Sequence, residues 1–259
     1  MTDIPIDDRG FTLGHGLFET VLWTGGDLAH WDAHVQRLER GCRTLGLPTP
    51  DRAGFHTAAM AAVADAGTPA RAAVRLSWSA GSGGRGLDVP QPPTPRLSVI
   101  ATAIDAVSGP VTLATARVRR NDRSPTSRLK TLSYLDNVLA RAEARAAGAD
   151  EALMLNTAGE IACAAAANVF WIRHDVVFTP DLDCGVLDGI VRREVIVACH
   201  HLGLQVEEVY ANPGRLAGAP MFITNSLVGV RAVASLDGQA LLTSRWVATL
   251  ARAVRSGSK

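Results

Sequence analysis

Leu129-Lys130-Thr131-Leu132-Ser133-Tyr134-Leu135-Asp136-Asn137-Val138-Leu139-Ala140 is the stretch on which the reading of this chain turns. Apart from the terminal Lys259, Lys130 is the only lysine among 26 basic residues, and arginine fills every other positive position. A guanidinium stays charged and is no amine nucleophile, whereas a lysine can form an imine with a carbonyl. Lys130 is therefore a candidate for covalent chemistry, although a lysine left over in an arginine-favouring chain would look the same. Downstream of it, Leu135, Val138, Leu139, Ala142 and Ala146 recur at helical spacing and read as a core-facing stripe. Gly148 follows where a left-handed residue would end the helix.

Outward from this stretch, helical periodicity recurs over Trp31–Leu45, where Asp32 reads as the cap, over about 51–66 and 189–202, and over 244–254. Strand signals lie between. Val74, Leu76 and Trp78 alternate with Ala73, Arg75 and Ser77, and 96–104, 111–116, 151–155, 168–173, 205–209 and 221–224 are further candidates. Helices and strands mixed throughout predict an α/β (α+β) architecture. The glycine- and proline-rich run 81–95 is a loop. The polar run RRNDRSPTS, 119–127, marks a division into a smaller N-terminal domain (1–119), a linker (120–128) and a larger C-terminal domain (129–259).

The 259 residues are 47% hydrophobic and 20% charged, with a net charge of +1, which predicts a globular protein without the basic footprint of a nucleic-acid or anionic-membrane binder. No apolar run is long enough to span a bilayer, and the acidic start MTDIPIDDRG does not read as a secretion signal. Cys42, Cys163, Cys184 and Cys199 lack paired spacing and read as reduced thiols of a cytoplasmic protein. His30 and His34 stand one helical turn apart without a third ligand of suitable spacing, so no metal is expected. Neither a GxSxG nor a strand–GxGxxG–helix pattern occurs.

The lysine segment closely resembles that of the class IV (fold type IV) pyridoxal-phosphate enzymes, which include D-amino-acid and branched-chain transaminases and aminodeoxychorismate lyase. Further motifs follow in that family's order: Asp8-Arg9-Gly10 through Gly14-His15-Gly16-Leu17-Phe18-Glu19-Thr20, His34-Val35-Gln36-Arg37-Leu38, Ala167-Asn168-Val169-Phe170, Gly189-Ile190-Val191-Arg192 and Thr224-Asn225-Ser226-Leu227. The resemblance covers nearly the whole chain. It implies two α/β domains with pyridoxal 5′-phosphate between them, a homodimer, and a small-molecule amino donor and keto acceptor as reaction partners.

Residue by residue, the resemblance implies that Lys130 anchors the cofactor covalently and moves the substrate proton, and that Tyr134 hydrogen-bonds the cofactor's phenolate oxygen. Arg37 matches the phosphate arginine. Ile190 and Val191 match the backbone donors to the phosphate, and Asn225 and Ser226 match a further phosphate-binding loop. Cys163 stands five residues before Asn168, where the family carries the glutamate that pairs with the pyridine nitrogen. A thiol cannot hold a pyridinium as a carboxylate does. Glu160, three residues away, reads as pointing elsewhere. Ala80 occupies the place of a substrate-binding arginine, which leaves Arg75 and Arg85 as carboxylate candidates. The expected reaction is amino transfer on a small amino acid or amine with D or R selectivity. Release of pyruvate from aminodeoxychorismate to give 4-aminobenzoate is the alternative, favoured by the run Asn225–Val230. A cofactor-binding protein weakened in catalysis is a third reading, motivated by Cys163.

Overall fold

In the computed structural model, which describes residues 3–256, the chain forms two compact units. Met1, Thr2 and Lys259 lie outside the described residues. One unit runs to Ala106 and takes in Leu129–Ser133; the other comprises Val107–Arg128 and the chain from Tyr134 onward.

The first unit contains α1 (Arg9–Leu13), β1 (Gly16–Thr24), β2 (Asp27–Leu28), α2 (Trp31–Leu45), α3 (Arg52–Asp65), β3 (Arg71–Ser79) and β4 (Arg96–Ala103). Its sheet is antiparallel in the order β2-β1-β3-β4. The alternation expected of β3 holds: Ala72, Val74 and Leu76 are buried. They pack with Leu17, Val21 and Trp23 of β1 and with Val35, Leu38, Cys42, Phe55, Ala59 and Val63 of α2 and α3. Each large side chain buried this way contributes roughly 1.5–3 kcal/mol. Asp32 does not cap α2. The residue before the helix is His30, left-handed at φ 53° with no side-chain cap bond, and Asp32 lies in the first turn, where its charge meets the helix dipole.

The second unit contains β5 (Val111–Arg120), α4 (Leu135–Ala146), β6 (Glu151–Asn156), β7 (Ile161–Ala164), β8 (Asn168–Arg173), β9 (Val176–Pro180), α5 (Ile190–His201), β10 (Val206–Val209), β11 (Met221–Asn225), β12 (Gly229–Leu236), β13 (Gln239–Ala240) and α6 (Arg245–Ser256). Its nine-stranded sheet runs β10-β9-β8-β11-β12-β5-β6-β7, with β13 beside β12. No helix among the described residues is long and apolar enough to cross a membrane.

Two expectations are corrected here. The stretch 107–119, read as part of the N-terminal domain, enters the second unit, because Val111, Leu113 and Ala116 of β5 bury against that sheet between β12 and β6. The supposed linker 120–128 is likewise held, by the buried Arg120 and Ser127. The α4 stripe is the second. Leu135, Val138 and Leu139 are exposed, and the buried face is Asn137, Ala140 and Ala144. Small residues let the helix lie close on β5 and β6, and Asn137 donates to Ala165 O at 2.8 Å. Periodicity places a stripe but cannot choose between two apolar faces of one helix.

Candidate active site

In the first unit, Lys130 is fixed through its backbone. Lys130 O accepts from Phe18 N at 2.8 Å, Leu132 N donates to Gly16 O at 2.9 Å, and Thr131 bridges Leu17, so 130–132 lies against the start of β1 like an added strand. That close approach needs Gly16: a Cβ there would stand 2.6 Å from Trp78 O and 2.7 Å from Leu132 Cδ1. Lys130 Nζ sits 4.2 Å from the centroid of the Phe18 ring, and Arg75 Cζ sits 3.7 Å from the same centroid. One aromatic ring thus carries both an amine and a guanidinium. Arg85 does not join them. It lies exposed in the 81–95 loop, whose Gly86 and Leu87 carbonyls accept from the buried Arg9 at 3.1 and 2.8 Å.

Behind Phe18 on the opposite face of β1, Glu19 projects into the apolar core between Leu17 and Val21 and is 1% exposed. Arg37 grips it with both edges of one fork, Nε to Oε1 at 2.8 Å and Nη2 to Oε2 at 2.6 Å. His34 Nδ1 lies 2.7 Å from Oε2. Burial alone would raise the Glu19 pKa; the charge and hydrogen bonds of Arg37, with the His34 bond, more than reverse this and hold it at about 2. Burial holds His34 below the usual imidazole range against the pull of Glu19, so it is neutral near pH 7, donates from Nδ1, and leaves Nε2 buried without a partner.

In the second unit, Gly189 precedes α5 and, having no side chain, makes no cap bond to the first N–H groups of the helix, those of Ile190 and Val191. Gly189 is required by crowding: a Cβ would stand 2.0 Å from Asn168 Oδ1. Asn168 is itself held by Leu187 O at 2.9 Å. Across from Asn168 on β11, the Thr224 hydroxyl is buried and unpartnered. Asn225 Oδ1 accepts from Leu227 N and Val228 N, which folds the loop carrying the half-buried Ser226. Tyr134 opens α4, half-buried. Cys163 is buried on β7, and burial pushes its thiol pKa up. The Glu160 carboxylate turns instead to Asn156 Nδ2 and the Cys184 thiol.

Each unit by itself offers groups that suit a part of pyridoxal 5′-phosphate. In the second unit, a glycine-preceded helix N-terminus with an orphaned hydroxyl nearby suits a phosphate; in the first, a backbone-pinned lysine suits an aldehyde carbon. Gly189→Ala is expected to cost roughly 1–3 kcal/mol of stability through overpacking on Asn168, read as a lower denaturation midpoint. Sequence reading assigned no role to Glu19. The signal was an acid on the apolar face of β1, between Leu17 and Val21, which demands a cationic partner.

The family model "Amino-transferase class IV" matches residues 16–236. An aminodeoxychorismate lyase of Vibrio harveyi is 29% identical over 243 residues, 91% of this chain and 88% of that protein. A D-alanine aminotransferase of Bacillus licheniformis is 25% identical over 240 residues, covering 92% and 84%. Among solved structures, a 4-amino-4-deoxychorismate lyase from Pseudomonas aeruginosa superposes with TM-score 0.87 at 27% identity, covering 99% of this chain and 96% of that one. The branched-chain aminotransferase of Escherichia coli superposes with TM-score 0.91 at 20% identity and shares the fold.

Proposed function

The chain belongs to the amino-transferase class IV family of pyridoxal 5′-phosphate enzymes, and we propose that within it this protein is a lyase that releases pyruvate from an amino-deoxychorismate-type substrate to leave 4-aminobenzoate. The observation that carries this reading is the buried thiol of Cys163, in the slot where the family pattern places a carboxylate. A ring nitrogen without a carboxylate partner is a weaker electron sink. Elimination that ends in an aromatic product draws its driving force from aromatisation and depends less on that sink than amino transfer does. The substrate and its two products balance, so no second reactant is needed.

When bound, the cofactor supplies a carbonyl that captures the substrate amine and a ring that withdraws electrons from the adjacent carbon. In this proposal Lys130 Nζ holds the cofactor and then takes the proton from the amine-bearing carbon. Phe18 positions that amine, and Arg75 on the same ring binds a substrate carboxylate. Arg37 is a phosphate cation whose orientation Glu19 fixes. Ile190 and Val191 offer backbone N–H groups to the phosphate, Ser226 offers its hydroxyl, and Asn225 shapes the loop that carries it. Cys163 lies toward the ring nitrogen. Tyr134 meets the phenolate oxygen, and it favours the second reading, an aminotransferase for a small amino acid or amine of D or R configuration.

The deciding experiment incubates the holoenzyme with aminodeoxychorismate and no keto acid. Stoichiometric pyruvate and 4-aminobenzoate are expected. Turnover only when an amino donor and a keto acceptor are both present would establish the aminotransferase instead. Arg75→Ala is expected to raise KM for a carboxylate substrate roughly 10- to 100-fold, the worth of a charge-assisted hydrogen bond. Arg85→Ala should leave KM within about twofold, since surface changes away from a site have small effects. Steady-state kinetics of both variants separate the two candidates.

A further inference from the structure

Arg120, at the end of β5, is buried. All three of its bonds go to neutral acceptors: Nε to Gly185 O at 2.9 Å, Nη1 to Asn137 Oδ1 at 3.3 Å, and Nη2 to Ser127 O. Among the described residues it has no carboxylate within ion-pair distance. A buried cation without a counter-charge is costly to keep, so its surroundings are shaped by its field.

Those surroundings adjoin Cys163. Gly185 lies between Cys184 and Val186, which pack in one cluster with Cys163 and with Ala116 of β5. Asn137, the Nη1 acceptor, donates in turn to Ala165 O, two residues beyond Cys163. The guanidinium charge reaches the Cys163 thiol and opposes the effect of burial. The other charge felt there is Glu151, whose carboxylate is engaged by Ala152 N at 2.9 Å and by Arg141 at 3.4 Å. Glu160 turns to Asn156 and Cys184. A neutral thiol and a buried cation with no ion-pair partner among the described residues thus lie in neighbouring parts of one packed region.

We propose that Arg120 is a specificity-determining residue: its buried charge, which no carboxylate among the described residues pairs, keeps the cofactor's ring nitrogen unprotonated beside the neutral thiol of Cys163 and so turns the site from amino transfer toward elimination. This rests on the reading that Cys163 lies toward that nitrogen. A second positive charge beside a guanidinium in a buried setting is disfavoured, and a thiol offers no anion to offset it.

The test uses holoenzyme reconstituted with pyridoxal 5′-phosphate labelled with nitrogen-15 in the ring, whose chemical shift reports protonation independently of turnover. The native protein should show the unprotonated shift from pH 6 to 8. Cys163→Glu should show the protonated one. Arg120→Gln should move the protonation equilibrium at least tenfold toward the protonated form. If Arg120→Gln does not fold, Arg120→Lys keeps the charge and must keep the unprotonated shift. A protonated ring nitrogen in the native protein overturns the proposal, and its loss in Glu151→Gln would give the role of acid to Glu151. An Arg120→Gln protein with unchanged equilibrium, or an Arg120→Lys protein with a protonated ring, also overturns it. A chain that takes up no labelled cofactor overturns the functional reading and this inference together, whereas a bound but protonated ring overturns the inference alone.

Discussion

Lys130→Ala is expected to abolish borohydride-stable attachment of pyridoxal 5′-phosphate and to lower turnover by roughly 10²–10⁴-fold, the usual worth of a positioned proton-transfer group. The expectation rests on two independent features. Lys130 is the only lysine besides Lys259, so no other interior amine competes for the carbonyl. Its backbone is paired to Gly16 and Phe18, and its Nζ lies over the Phe18 ring, so the amine is presented from a rigid strand rather than a mobile tip. The measurement is peptide mapping after reduction of native and variant proteins. The pyridoxyl group should appear on the peptide containing Lys130 and vanish in the variant. Its recovery on any other residue would remove Lys130 from the role.

The segment that proved decisive was legible because its information is chemical: one amine among guanidiniums, followed by a fixed order of motifs. The helices over 31–45, 52–65 and 190–201 were legible because their periodicity is strong. What was not legible depended on partners distant in sequence. Arg120 read as the start of a polar linker, yet Gly185, Ser127 and Asn137 enclose it. The α4 helix offered two plausible faces, and only its packing on β5 and β6 selects the one bearing Asn137. Strand β1 is not legible as a strand, because Glu19 interrupts its apolar alternation. That interruption is the site's most consequential buried charge, and the partners that satisfy it stand 15 and 18 residues away.

Glu19→Gln is expected to cost roughly 3–5 kcal/mol of stability, the penalty for removing one member of a buried ion pair. The glutamine fills the same space, but Arg37 then loses its two-bond ion pair with Glu19, and His34 loses its charged acceptor. Arg37→Ala strands Glu19 in the same way, so it should destabilise the unit as well as loosen cofactor retention. The pH dependence identifies the source. Glu19 in the folded chain is held at about 2, below the ordinary carboxylate value, so the unfolded chain binds more protons in the window between. Its contribution is fully present above about pH 4.5 and is lost as pH falls toward 2, by an amount on the order of 3 kcal/mol. His34 is also held below its ordinary value, by burial, so its contribution likewise falls on acidification, beginning near pH 6.5. Urea unfolding across pH 3–8 should therefore show native stability declining in two stages. The lower stage should be flattened in Glu19→Gln. A variant as stable as the native chain at pH 7, with the same acid limb, would mean that Arg37 is stabilised by something other than Glu19.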